Sequence, residues 1–145
     1  MIVKTEKFID IETVFEMCSG WEDRYQYLID IGREMPSLED DKKIDAYRVD
    51  GCVSNVWLVP KIETCNGNKC FFFQADSDSF LVRGIISILS ALINGQPVNE
   101  IVNEDIRSFI SHLKLDEHLT TQRSNGLMSM ISKIHEWVRI AYEKG

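Results

Sequence analysis

The sequence predicts an α+β fold in a single domain, residues 1–145. Apolar residues recur at helical spacing in several segments, which favours amphipathic helices. Strand-like runs flank Asn66-Gly67, a strong hairpin turn signal. The run from Phe80 to Asn94 is apolar on nearly all sides, as in a helix buried at the centre of a core. We therefore expect a small antiparallel sheet of about three strands with helices on one face, two N-terminal helices and a long C-terminal helix.

The two N-terminal helices are predicted from apolar repeats. The residues that repeat are Phe8, Ile11, Phe15 and Cys18 in the first helix, and Trp21, Tyr25, Leu28 and Ile29 in the second. The first should end near Ser19-Gly20, and Gly32 with Pro36 should end the second. The segment from Ser37 to Asp45 has many charges and no periodicity, so we expect a mobile connection.

Three strand-like runs follow this connection. Ala46 to Asp50 is the first, Val53 to Glu63 the second and Cys70 to Ala75 the third. The second run is apolar on both faces, as expected of a well-covered strand. The turn within Thr64 to Lys69 should return the chain antiparallel.

The second half of the chain is predicted to be helical. Asp76 to Ser79 offers side-chain oxygens ahead of the central helix, so Asp76 and Asp78 are read as helix caps. Val98 to Asn103 and Asp105 to Leu113 suggest two short helices. Thr120 or Thr121 should cap a last helix, whose apolar face comprises Leu127, Ile131, Ile134, Val138 and Ala141.

Charge and composition exclude several classes of function. The net charge is −7 and Lys and Arg form no basic stripe, which argues against a nucleic-acid-binding protein. No apolar run approaches the ~20 residues that a membrane-spanning helix needs. The start of the chain lacks the pattern of a signal peptide, so we expect a cytoplasmic protein. In that reducing compartment the four cysteines should be thiols.

Cys52 is the candidate reactive residue. It follows Gly51 between two strand-like runs, where a glycine lets the chain bend and other groups approach its backbone. A thiol at such a bend can meet a substrate, provided that it reacts as a thiolate. The residues alone leave a second interpretation open, because free cysteine is often a buried small hydrophobe.

The residues around Cys52 resemble a known signature. Gly51-Cys52-x-Ser54-x-Val56-Trp57 resembles the motif of the SufE and CsdE sulfur-acceptor proteins of iron–sulfur cluster assembly. Other blocks resemble that family in the same order: Glu22 to Leu28 with Gly32 and Pro36, Asp76 to Asp78, Leu81 to Gly84, His118 to Thr120, and Arg123 to Leu127. The resemblance implies the SufE/IscU-like fold.

The resemblance also implies a function without enzymatic turnover of a small molecule. A cysteine desulfurase would pass persulfide sulfur to Cys52, and the carrier would stimulate that enzyme and deliver the sulfur to an iron–sulfur scaffold complex. The carrier needs no cofactor of its own, and it would be a monomer or a weak homodimer. Gly51, Ser54, Asp76, Asp78 and Arg123 would support the site.

Two alternatives remain at this stage. The chain could itself be an iron–sulfur scaffold, because scaffold proteins share this fold and fold alone does not fix function. A thiol reductase is a further candidate, but the sequence contains no Cys-x-x-Cys pair.

Other side chains give weaker signals. Cys65 and Cys70, with Cys52 if it came near, would offer three thiolates, but their spacing is poor for zinc and we expect no metal site. His118 suggests packing or capping. Arg123 lies in the first turn of a helix, where a cation gains nothing from the helix dipole, so it suggests a buried ion pair or a partner contact.

We also expect Cys52 to be shielded in the free protein. The apolar residues that follow it, Val53, Val56 and Trp57, should raise the pKa of the thiol above its free value of ~8.5. Gly51 would be the pivot of an opening that a partner favours by binding the open state more tightly.

Overall fold

The computed structural model describes residues 2–144. In this range the helices are α1 (Glu6–Met17), α2 (Trp21–Glu34), α3 (Phe80–Ile93), α4 (Val98–Ile101), α5 (Ile106–His112), α6 (Leu115–His118) and α7 (Thr121–Glu143), and the strands are β1 (Val56–Cys65), β2 (Asn68–Ser77) and β3 (Gln96–Pro97). The α+β class, the paired N-terminal helices and the long last helix are confirmed. None of these helices is long and apolar enough to cross a membrane.

The sheet is antiparallel with the order β1-β2-β3. Asn66 and Gly67 both have positive φ at the hairpin turn, as the sequence predicted. Val56 and Leu58 of β1 share the buried face with residues of β2, because the register pairs them with Ser77 and Ala75. Helix α3 packs on β2, and α7 contacts β1.

Helix α3 lies at the centre of the core. It contacts α1, α2 and β2, and nine of its residues are buried, including Arg83 and Gly84. The backbones of α2 and α3 approach each other so closely that a Cβ on Gly84 would lie 2.1 Å from the Leu28 carbonyl oxygen. Gly32 is equally confined by the Phe80 carbonyl. Gly32 therefore serves this helix crossing and does not end α2, which continues to Glu34.

The predicted strand from Ala46 to Asp50 is wrong. Asp45–Tyr47 forms a 3₁₀ turn, and only an isolated bridge between Arg48 and Trp57 extends the sheet on this side. The third strand is instead Gln96–Pro97, on the other edge of β2.

The segment from Ser37 to Asp45 is anchored, in contrast to the mobile connection that we expected. Leu38 is buried and its N–H donates to the Asp76 carboxylate at 2.9 Å. Lys43 lies 3.5 Å from the same carboxylate, and Lys42 donates to the Gln74 side chain. The charges of the segment therefore attach it to β2.

Asp76 and Asp78 do not cap α3. Ser79 is the cap residue, and its hydroxyl accepts from the N–H of Val82. Asp76 is buried and forms an ion pair with Arg83, whose guanidinium also donates to the carbonyls of Gly32 and Met35. The acidic turn therefore ties β2, the end of α2 and α3 together.

Candidate functional site

Cys52 lies in a short loop that is tied at its base. The N–H of Val49 donates to the carbonyl of Val56 at 2.9 Å, so the two ends of the loop are held together beside β1. Gly51 has φ +88°, a conformation that side-chain-bearing residues rarely adopt. The predicted bend at Gly51 is therefore present, immediately before the thiol.

The first turns of α7 support this loop. A Cβ on Gly126 would lie 3.2 Å from Cys52 Sγ and 3.5 Å from its Cα, so the absence of a side chain lets the helix approach. Cys52 Sγ donates a weak hydrogen bond to the Gly126 carbonyl at 3.7 Å. A Cβ on Gly51 would lie 2.8 Å from Ser129 Oγ. Two glycines thus bring the loop and the helix into contact at the thiol.

The surroundings of Cys52 favour its protonated form. Partial burial, and then the negative charge of Asp50, raise the pKa of the thiol above its ordinary value. The predicted direction of the pKa shift and burial as its main cause agree with this arrangement, whereas the contribution of Asp50 was not expected. Val53 is 68% exposed and shields nothing, whereas α7 covers one side of the half-buried Cys52.

The downstream end of the loop is held by Asp78. Its carboxylate accepts from the backbone N–H of Asn55 at 3.1 Å and from the Asn55 side-chain amide at 2.9 Å. Ser54, the residue before, is half-buried. Asp78 therefore positions the loop directly, whereas Asp76 holds the segment around Leu38 against β2.

Arg123 lies about one turn of α7 before Gly126. Thr120, one of the two predicted cap residues, caps this helix by accepting from the Arg123 N–H. Arg123 Nε is buried, and within residues 2–144 it has no hydrogen-bond partner. A buried donor without a partner is costly, so this nitrogen is open to an acceptor. His118 packs against Trp21, with ring centroids 4.0 Å apart.

Cys65 and Cys70 lie far from Cys52. Cys52 precedes the start of β1 and Cys65 ends it, so a strand of ten residues, about 30 Å long, separates the two positions. All four thiols are free. In the part of the chain that the structure describes, no three His, Cys, Asp or Glu side chains are grouped so that they could hold a metal ion.

Gly126, Ser129 and Asn55 are the site residues that reasoning from the sequence missed. Gly126 belongs to the block that resembles the family, and a glycine inside a helix costs about 1 kcal/mol relative to alanine. That unfavourable choice signals a close approach. The sequence does not reveal that the approaching group is Cys52.

Comparisons with known proteins agree with this fold and place the chain in a family. Residues 9–138 match the SufE family, described as an Fe-S metabolism associated domain. An uncharacterised SufE-like protein of Rhizobium etli is 39% identical over 126 residues, covering 87% of this chain and 85% of that protein. A second, of Rhizobium meliloti, is 36% identical over 120 residues, covering 83% and 86%.

A hypothetical protein from Thermus thermophilus, with a solution structure, has the same fold at a TM-score of 0.68. It is 18% identical, and the match covers 97% of this chain and 99% of that one. Because residues 9–138 match the family model, the chain belongs to the SufE family of Fe-S metabolism.

Proposed function

We propose that this protein accepts persulfide sulfur from a cysteine desulfurase on Cys52 and passes it to an iron–sulfur scaffold complex. The observation that carries the proposal is the position of Cys52. The thiol lies on a surface loop and is half-buried against Gly126 of α7. Gly126 and Asp78, which hold this loop in place, both belong to the blocks that resemble the family.

The transfer is an exchange between two sulfur species and needs no oxidant. The Cys52 thiolate attacks the outer sulfur of the desulfurase persulfide, a new S–S bond forms, and the bond within that persulfide breaks. The desulfurase cysteine leaves as a thiolate, and Cys52 then carries a terminal persulfide sulfur. Attack by an acceptor thiolate on that outer sulfur returns Cys52 to its starting state.

The residues around Cys52 would control when it reacts. Its raised pKa leaves little thiolate near neutral pH, which protects the free carrier from stray electrophiles. A partner that draws the loop away from Gly126 would expose the sulfur and reduce the burial that disfavours the thiolate. Arg123, whose Nε has no partner among the described residues, would supply positive charge for an incoming anionic persulfide.

Substitution of Cys52 by serine tests the proposal. In a mixture of desulfurase and radiolabelled cysteine, wild-type protein should acquire label that a thiol reductant releases, and Cys52→Ser should acquire none. The variant should also fail to stimulate the desulfurase while its far-UV circular dichroism is unchanged. Label on the serine variant equal to that on wild type would disprove the assignment.

A second experiment, reconstitution with iron and sulfide, tests the scaffold alternative. A scaffold should turn brown on reconstitution with iron and sulfide and should retain stoichiometric iron after desalting. We expect the purified protein to stay colourless under those conditions.

A further inference from the structure

The outer edge of β2 is only partly paired. Next to β3, the carbonyl of Phe71 accepts from the N–H of Gly95 at 2.9 Å. One step further, the side-chain amide of Asn94 replaces a neighbouring strand: it accepts from the N–H of Phe73 and donates to its carbonyl, at 2.9 and 3.3 Å. Beyond Phe73, within residues 2–144, this edge has no strand beside it.

Ala75 is the residue left open at that edge. Backbone groups alternate along a strand, so those of Ala75 point the same way as those of Phe73, away from β1. The register pairs Phe73 with Pro60 of β1. Because proline has no N–H, it cannot donate to the Phe73 carbonyl, which agrees with backbone groups of Phe73 that point away from β1. The N–H of Ser77, the next outward group, is satisfied by Asp76.

The residue that carries these open groups has little exposed surface. Ala75 is 8% exposed, and in the described part of the chain its N–H and carbonyl have no partner at the outer edge. Buried backbone groups are nearly always paired, with protein or with ordered water. This edge therefore presents one unfilled donor and one unfilled acceptor, spaced as the next strand of a sheet would use them.

The edge opens into a cleft of about 1010 Å³ between α1, α2, α3 and β2. Apolar side chains line it, among them Ile11, Ile31, Leu38 and Ile86. Its charged lining residues are four carboxylates and one lysine, namely Glu6, Asp10, Glu34, Glu39 and Lys7. The cleft is thus apolar inside and acidic around it.

The acidity of the cleft affects a group on its wall. Burial, and next the nearby Asp10 carboxylate, raise the pKa of Tyr27, which lines the same space. A cationic occupant would relieve this accumulation of negative charge.

We propose that this cleft, named the β2 cleft, binds an extended segment of a partner protein in which apolar residues alternate and Lys or Arg flank them. The segment would lie beside β2 and exchange two backbone hydrogen bonds with Ala75, in the manner of strand addition. Its basic side chains would meet the surrounding carboxylates. A second copy of this chain is a poor occupant, because each copy carries a net charge of −7.

The β2 cleft is separate from the proposed sulfur-transfer site. Cys52, Gly51, Gly126 and Ser129 are all absent from the lining of the cleft. A partner held in the cleft would leave the thiol accessible to a second protein. The cleft is therefore a docking surface in addition to the sulfur-accepting loop.

Fluorescence anisotropy with a synthetic probe tests the proposal on the full chain. The probe is a labelled peptide in which Val-Thr-Val is flanked on each side by two lysines. Wild-type protein should bind it saturably, and Asp10→Lys/Glu39→Lys, two exposed changes at the cleft, should weaken binding at least tenfold. The matched control, Glu22→Lys/Glu143→Lys, has the same charge change on exposed positions outside the cleft and should bind within twofold of wild type.

Amide exchange measured by NMR locates the contact. The peptide should slow exchange of the Ala75 amide, and a peptide with both valines N-methylated should bind several-fold more weakly. No saturable binding, an equal loss in both charge variants, or protection that omits Ala75 would each overturn the proposal. Protection of Ala75 by self-association of the free chain would also overturn it, since the occupant would then be a second copy.

Discussion

At the scale of single residues, Gly126 determines how closely α7 approaches the Cys52 thiol. An alanine there would place a methyl group 3.2 Å from Cys52 Sγ, closer than an ordinary contact. The half-buried Cys52 can move outward, whereas the helix backbone cannot easily retreat.

We therefore expect Gly126→Ala to raise the rate of Cys52 alkylation by iodoacetamide several-fold. Stability should change little, because alanine gains up to about 1 kcal/mol of helix propensity that offsets the crowding. Site-resolved mass spectrometry measures the rate. Gly20→Ala is the control, since a Cβ at that position meets nothing within 4 Å. An alkylation rate unchanged by Gly126→Ala would contradict the proposed seating of the thiol.

The raised pKa of Cys52 predicts a pH profile. Alkylation follows the thiolate fraction, so in the folded protein its rate should reach half of its maximum above pH ~8.5, the value for a free cysteine. In denaturant, the alkylation rate of Cys52 should depend on pH as it does for a free cysteine. A folded-state midpoint at or below that of the denatured chain would show that burial does not govern this thiol.

At the scale of elements, Asp76 of β2 links its own strand to α3 and to the segment that contains Leu38 and Lys43. Its carboxylate accepts from the backbone of Leu38 and Ser77 and pairs with Arg83 of α3, with Lys43 nearby. Burial alone would raise its pKa, but these two hydrogen bonds and then the two cations lower it below the ordinary value. The ionised form is therefore the one that the fold stabilises.

Asp76→Asn should reduce the free energy of unfolding by roughly 3–5 kcal/mol at neutral pH, because it leaves Arg83 buried without its counter-charge. A lowered folded-state pKa gives stability that is present above the unfolded value of ~3.9 and is lost as the pH falls through the folded pKa. The variant should lack this part of the acid dependence. Urea titrations at several pH values measure both effects, and the exposed Asp78→Asn should cost less.

At the scale of the whole molecule, the length of β1 separates Cys52 from the thiols of Cys65 and Cys70. The Cys52 loop adjoins one end of β1, and Cys65 and Cys70 lie at the hairpin end. Chemistry at one end therefore need not involve the other.

Replacing both hairpin thiols, as Cys65→Ser/Cys70→Ala, should leave sulfur acceptance within twofold of wild type. Alanine is chosen at position 70 because Cys70 is buried and a hydroxyl there would need a partner. The labelling assay with desulfurase measures this. A large loss of label on Cys52 in a variant with an unchanged melting temperature would show that the hairpin thiols take part.

Most of the secondary structure could be predicted because its signals are local. The periodic apolar residues of α1 and α3, the Asn66-Gly67 turn and the Thr120 cap act within a few residues, and all were found. The strand Gln96–Pro97 was missed because two residues carry no alternating pattern.

The candidate site was predictable only in part, for the same reason. Gly51 and Cys52 form one local motif, whereas Gly126 and Ser129 reach it across more than seventy positions of the sequence. Capping was the natural interpretation of Asp76 and Asp78, since a helix follows them. The partners that overrule it, Leu38, Arg83 and Asn55, come from other parts of the chain.

The contact between Cys52 Sγ and the Gly126 carbonyl has a further consequence. A protonated thiol offers hydrogen to that oxygen, but a thiolate has only lone pairs to present to it. Loss of the proton thus turns a weak attraction into a repulsion between two electron-rich atoms. The event that makes the sulfur nucleophilic also loosens it from α7, so ionisation and release from the helix reinforce each other.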